Sequence, residues 1–163
     1  MKSKYVMLLA VSTVVLLLDQ ATKLYIDRSM ELHGSVTVIE HFFNITYLRN
    51  RGAAFSFLAN FSYRLQFFIL VSLVAIGVIV SVFARLRPEQ RLTAFSLSLI
   101  FSGALGNLID RVRLGEVIDF LDVHWHSHHW PAFNVADSAI CVGVFLLAID
   151  MYLEEHRRKK EQP

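Results

Sequence analysis

The chain has 163 residues, 55% of them hydrophobic and only 18% charged, with a formal net charge of +2. Its mean hydropathy of +0.47 excludes a disordered chain and is too apolar for an ordinary soluble domain of this length. The single cysteine, Cys141, excludes an intrachain disulfide framework and, lying in an apolar run, reads as a small packed residue.

The first apolar run, Tyr5–Leu18, carries no charge and continues as a helical pattern to Ile26 if Asp19 and Lys23 face protein. Lys2 and Lys4 give it a basic start. The following Asp19-Gln20-Ala21-Thr22-Lys23 offers no small-x-small cleavage site, which predicts a retained transmembrane helix and not a removed signal peptide. Asp19 and Lys23 share a helix face at i, i+4 spacing, so they read either as an ion pair holding the end of the span or as members of a site.

The stretch Asp27–Arg64 is too long for a mere connector. Ser35–Ile39 and Asn44–Leu48 are rich in Val, Ile, Thr, Phe and Tyr, which predicts two short strands. Asn50-Arg51-Gly52-Ala53-Ala54-Phe55 is a turn built of small residues. Phe55–Phe61 is aromatic and weakly amphipathic. It reads as a short helix in the membrane interface, suited to a lipid-embedded substrate, or as a packed cap over the helices.

Leu65–Ala84 and Leu92–Ile109 are uncharged and meet the ~17–25 residues that a spanning helix needs. Between them Arg85–Arg91, with Pro88, is a plain turn. The third span ends in Ser102-Gly103-Ala104-Leu105-Gly106-Asn107-Leu108-Ile109-Asp110-Arg111. Ser102 and Gly106, four apart, permit close helix approach. Asn107 shares a face with both Asp110 and Arg111 and can donate to a carboxylate or a substrate carbonyl. Arg111 itself reads equally as an interface anchor, a partner of Asp110 or a site residue.

The second polar stretch, Asp110–Pro131, is net acidic. Within it Asp119 stands among apolar neighbours in Val117-Ile118-Asp119-Phe120, and taken alone it reads as a helix cap or a surface charge. Asp137 is the one charge of the fourth span, Trp130–Ile149, and Asn134 precedes it by three positions on the same face. Either residue can cap that helix. Carboxylates beside hydrocarbon are expensive, so a pair of them marks a functional site by default. Two carboxylates that share one proton are also the minimal equipment for activating water against an amide.

Lysine and arginine before span one, between spans two and three, and after span four predict that these regions and both termini are cytoplasmic. The basic tail is thus explained as solvated positive-inside residues, with no nucleic-acid partner. His124, His126, His128 and His129 lack an HExxH helix or paired cysteines, so no metal site is expected there. No GxSxG marks a serine nucleophile.

Five ordered segments carry a family resemblance: Asp19-Gln20-x-x-Lys23; Asn50-x-Gly52-Ala53-Ala54-Phe55; Gly103 to Arg111; Val117-Ile118-Asp119-Phe120; and Phe133-Asn134-x-Ala136-Asp137. Together they resemble the motifs of the lipoprotein signal peptidases, the bacterial signal peptidase II family, over nearly the whole chain. The resemblance implies an all-α membrane protein, a single domain over residues 1–163. Its spans would cover about 5–26, 65–84, 92–109 and 133–153. An extracytoplasmic β-cradle and a short interfacial helix would be built from about 27–64 and 110–132. It further implies an inner-membrane aspartic endopeptidase that cleaves diacylglyceryl-modified prolipoproteins just before the lipidated cysteine. The catalytic pair would be Asp119 and Asp137, supported by Asp19, Lys23, Asn50, Gly52, Asn107, Arg111 and Asn134. No cofactor is implied, the expected partners are membrane lipid and globomycin-type inhibitors, and nothing in the pattern requires a dimer. Ser102 stands where the pattern suggests another glycine, and His124–Trp130 has no counterpart in it. A proton-coupled transporter could use the same acids but would show internal repeats or helices broken at mid-membrane. A non-catalytic scaffold would tolerate amidation of both aspartates.

Overall fold

The computed structural model describes residues 2–52 and 62–161. Four helices and four strands follow in the order α1 (Lys2–Ser29), β1 (Ser35–Ile39), β2 (Phe43–Asn50), α2 (Arg64–Arg85), α3 (Arg91–Leu114), β3 (Val117–Trp125), β4 (His128–His129) and α4 (Val135–Glu161). All four helices are long and apolar enough to cross a membrane, with peak mean hydropathies of 1.7, 2.9, 1.7 and 1.8 along the chain. The predicted interfacial helix at Phe55–Phe61 lies outside the described residues.

The four helices cover most of the apolar stretches, and three run further than they do. α1 continues to Ser29, α3 continues past Ile109 to Leu114, and α4 starts at Val135 and continues to Glu161. A helix does not stop where hydrocarbon stops; it stops where its backbone finds a cap. For α3 that cap is Gly115, whose positive φ of 75° lets its N–H turn back to the Arg111 carbonyl at 3.0 Å. The extra turn matters because it keeps Asp110 and Arg111 helical.

α3 is the hub, packing against α1, α2 and α4. More than half of its most apolar window is buried, at 56%, against 11–17% for the other three, whose outer faces are left for lipid. Small residues make this possible. A side chain at Gly103 would collide with the Ala136 carbonyl of α4. One at Gly106 would reach Asp19 Oδ2 of α1 at 2.7 Å. Ser102 adds a polar tie, donating to Ser12 of α1 at 3.0 Å.

Both long inter-helix stretches return to one end of the bundle, where the strands form an antiparallel sheet in the order β1-β2-β3-β4. Ile26 of α1 packs with Tyr47, Ile118 and Phe120, seating the sheet on the bundle. At the opposite end the Lys4 ammonium caps α2, donating to the carbonyls of Phe83, Ala84 and Leu86 at 2.9–3.0 Å.

Candidate active site

Asp119 lies on the inner strand β3, opposite Leu48 of β2. It is neither a helix cap nor a surface charge, being only 3% exposed. Val117 through Phe120 are all buried, so the strand shows none of the inside–outside alternation that would reveal it in sequence. Two side-chain amides hold the carboxylate: Asn50 donates to Oδ2 at 2.9 Å and Asn134 to Oδ1 at 2.8 Å. Burial and then the neighbouring charge of Asp137 push the Asp119 carboxyl up to about 7. The Asn50 and Asn134 amides and the Lys23 ammonium pull the other way without prevailing.

Asp137 sits in the first turn of α4, and both halves of the capping alternative are realised together. The Asn134 Oδ1 accepts the Asp137 N–H at 2.9 Å, and the Asn134 N–H donates back to Asp137 Oδ2 at 3.3 Å. This is a reciprocal capping box at the helix N-terminus. The cap spends only the oxygen of Asn134. Its Nδ2 is left to face Asp119, Asn107 Oδ1 and the Ile118 carbonyl. One buried asparagine therefore touches both aspartates. Asn107 adds a second hold on Asp137, donating from Nδ2 to its Oδ1 at 2.7 Å while its own Oδ1 accepts from Asn134.

Behind the aspartates lies a buried ionic cluster. Lys23 is 2% exposed and Asp19 is fully buried; they form the anticipated pair at 2.9 Å. The same ammonium also meets Asp110 Oδ2 at 2.9 Å and donates to Asn107 Oδ1 at 3.1 Å. Gln20 closes the cluster with bonds to both Asp19 and Asp110. Asp110, placed by the sequence on the face of Asn107, and Gln20, a motif residue, carried no assigned role in the site. Asp110 looked like a partner for its neighbour Arg111, because adjacency in sequence conceals that the two project from different sides of α3. Arg111 instead reaches the Gly52 carbonyl at 3.4 Å and stacks over the Phe68 ring at 5.1 Å from its centroid. Gly52 in turn donates its N–H to Asn50 Oδ1 at 2.9 Å, so Asn50 organises this turn with its oxygen while holding Asp119 with its nitrogen.

Two cavities meet at this point. One, of about 530 Å³, runs from Asn50, Gly52 and Arg111 past both aspartates and down α4 to Ile140 and Cys141. The other, of about 730 Å³, opens over the sheet between Thr46, Arg49, Asp122 and His129. They share a wall made of Asn50, Asp119 and Trp130–Ala132. Every residue that sequence reasoning assigned to the site, from Asp19 to Asp137, belongs to this connected set.

The histidine tip stands apart. His124 stacks on His129 with centroids 4.6 Å apart, and His41 stacks on His126 at 5.2 Å. His129 bonds Asp122 at 2.8 Å. Burial works against ionisation of Asp122, but the bonds from His129 and Asn44 outweigh it and hold the carboxyl below its ordinary value. Among the described residues no group of three or more His, Cys, Asp or Glu is arranged to hold a metal ion.

The family model for signal peptidase (SPase) II matches residues 11–153. The lipoprotein signal peptidase of Geobacter sulfurreducens is 69% identical over 158 residues, covering 97% of this chain and 99% of that protein. That of Geobacter metallireducens is 63% identical over 161 residues, covering 99% of each. A solved structure described as a bacterial membrane enzyme superposes with a TM-score of 0.84 at 36% identity, covering 96% of this chain and 93% of the other. Four apolar helices, a small antiparallel sheet and a family match across most of the sequence lead to one conclusion: this chain belongs to the signal peptidase II family.

Proposed function

We propose that Asp119 and Asp137 are the catalytic dyad of this peptidase and that residues 1–163 act as one membrane-embedded domain. The protein is an integral inner-membrane aspartic endopeptidase that removes the signal peptide from diacylglyceryl-modified prolipoproteins, cleaving before the lipidated cysteine. The observation that carries the dyad assignment is Asn134. Its side chain caps Asp137 with one atom and donates with the other to Asp119, which lies in the wall two cavities share.

The chemistry is acid–base activation of water with no covalent intermediate. The pair shares one proton, which the elevated proton affinity of Asp119 retains to near neutrality. The ionised carboxylate takes a proton from water as the resulting hydroxide attacks the scissile carbonyl carbon. The protonated carboxyl donates to the carbonyl oxygen, giving a neutral tetrahedral diol. Return of a proton to the peptide nitrogen then breaks the C–N bond, releasing signal peptide and lipidated amino terminus. Arg111 and the amides of Asn50 and Asn107 flank the path along which negative charge develops.

The substrate reading follows from the linings. The cavity that descends along α4 takes the apolar signal sequence and the acyl chains, where each buried CH₂ contributes about 0.8 kcal/mol. The cavity over the sheet takes the first residues of the mature chain. Globomycin-type inhibitors would occupy the shared wall. Both termini are cytoplasmic, the sheet and dyad face the opposite side, and one copy suffices, since every named group comes from a single chain. The test is cleavage of a purified diacylglyceryl prolipoprotein in detergent by wild type, Asp119→Asn and Asp137→Asn. Cleavage before the cysteine by wild type alone is the expected result; turnover by either folded variant would remove the dyad.

A further inference from the structure

The residues just before the two aspartates are held in the same way. The N–H of Ile118, preceding Asp119, donates to Asp110 Oδ2 at 3.2 Å. The N–H of Ala136, preceding Asp137, donates to Asp19 Oδ1 at 2.9 Å. The two acceptor carboxylates are joined by one ammonium, Lys23 Nζ, at 2.9 Å from each. Two helices distant in sequence therefore converge on one charge. α1 supplies Lys23 and Asp19, α3 supplies Asp110, and each acid grips the backbone beside one member of the pair.

We infer that Lys23 with Asp19 and Asp110 forms a buried clamp that sets the spacing of Asp119 and Asp137, so that Asp110 and Asp19 are positioning residues acting through backbone N–H groups. The inference rests on the dyad reading. The main-chain bonds between β3 and the approach to α4 join Phe120 and Leu121 to Phe133, so they hold the strand beside Asp119 but stop four residues short of Asp137. The side-chain contacts that do span the gap, through Asn134 and Asn107, need both carboxylates already at the right separation. A cluster that is at most 2% exposed is shielded from solvent and changes its geometry little as substrate comes and goes. The fit is close on the glycine side too. Gly106 leaves room for Asp19 where any Cβ would be 2.7 Å from its Oδ2. The second anion is what extends the pair to β3: Asp19 meets Lys23 through Oδ2 and keeps Oδ1 for Ala136, while Asp110 Oδ2 accepts from both Lys23 and Ile118.

A positioning clamp makes a different prediction from a merely stabilising ion cluster. A misplacement on the order of 1 Å in reacting groups costs about a hundredfold in turnover. Lys23→Met, nearly isosteric and uncharged, should therefore lower kcat about a hundredfold while KM for the diacylglyceryl prolipoprotein stays within about threefold, since no substrate contact is removed. The acid limb of its cleavage profile should move to higher pH, because a cation that favours the ionised dyad has gone. Asp110→Asn, which keeps an oxygen for Ile118, should lose less kcat than Asp110→Ala, which does not. Unchanged kcat, a loss confined to KM, or equal effects of the two Asp110 variants would overturn the clamp. Should Lys23→Met not fold, the double variant Asp19→Asn/Lys23→Met, which removes the charges as a pair, is measured in the same way. If that also fails to fold and Asp110→Asn has wild-type kcat, the cluster serves folding alone and the inference is overturned. Asp119→Asn and Asp137→Asn run alongside. Turnover in them refutes the dyad and the clamp together, whereas dead dyad variants beside a fully active Lys23→Met refute only the clamp.

Discussion

Asp119→Asn should change stability in a direction that depends on pH. In the folded protein the carboxyl holds its proton to about 7, against an ordinary value of 3.8. The folded state thus binds a proton that the unfolded chain has released over that interval. The sign follows: the contribution of Asp119 to stability is fully present below pH 3.8, declines as pH rises, and is lost by about pH 7. At ~1.36 kcal/mol for each tenfold in proton affinity, the interval bounds the loss at ~4 kcal/mol, and coupling to Asp137 makes about 2–3 kcal/mol a fair expectation. The amide has no such liability. It does lose one acceptor, since its nitrogen must face an Asn50 or Asn134 amide that now donates to oxygen at 2.8–2.9 Å. That mismatch costs about 1 kcal/mol at every pH. The variant should accordingly be less stable than wild type at pH 4.5 and more stable at pH 8, with the difference crossing zero in between. Thermal unfolding in one detergent at a fixed scan rate, followed through the fluorescence of Trp125 and Trp130, measures this difference, and titrations elsewhere in the molecule cancel from it. A difference independent of pH, or one favouring wild type increasingly at high pH, would refute the account of Asp119 as a desolvated carboxyl beside a second charge.

Asn134→Ala removes the side-chain cap of α4 and the direct bridge between the aspartates, leaving Asn107 on Asp137 alone. It should lower kcat by about 10²–10³ and the stability by about 1–2 kcal/mol, read by cleavage and by thermal unfolding of the same preparation. Gly106→Ala drives a methyl toward Asp19 and to 3.2 Å from the Ala136 Cβ, which should destabilise by about 1–3 kcal/mol and depress cleavage. Gly77→Ala meets nothing within 4 Å and should leave both unchanged or improve helix stability slightly; a comparable penalty at the two sites would contradict the packing described for α3.

The sequence displays what a bilayer selects for and conceals what tertiary packing decides. Four apolar stretches and the β-branched runs at Ser35–Ile39 and around Asn44–Leu48 were legible because hydrophobic length and strand composition are local properties. β3 was not: with Val117 to Phe120 buried on both faces, its period-2 signature is erased. The Asp19–Lys23 pair could be read from i, i+4 spacing alone. Its third member, Asp110, could not, because which side of α3 turns inward is fixed by Gly103 and Gly106 meeting other helices. The signal that was available lay in those glycines: Asp110 stands four residues after Gly106, on the face they open. Asn134 shows the opposite limitation. Its capping role was visible in the spacing and its supporting role only through the resemblance, but an amide has two ends, and only the fold reveals that both are used.

The placement of Lys23 and Asp19 one turn apart on α1 also has a bearing on how the protein is made. α1 emerges from the ribosome long before α3, and at ordinary synthesis rates of ~5–20 residues per second Asp110 follows on the order of ten seconds later. Throughout that interval a lone buried lysine or aspartate would face lipid without its final partner. Because the two opposite charges sit 2.9 Å apart on the same helix, they neutralise each other in cis, and the segment can partition into the bilayer before the rest of the cluster exists. An isolated α1 should then insert more readily with both charges than with either one alone. The pair is a temporary passport for the helix and becomes part of the finished site only when α3 arrives.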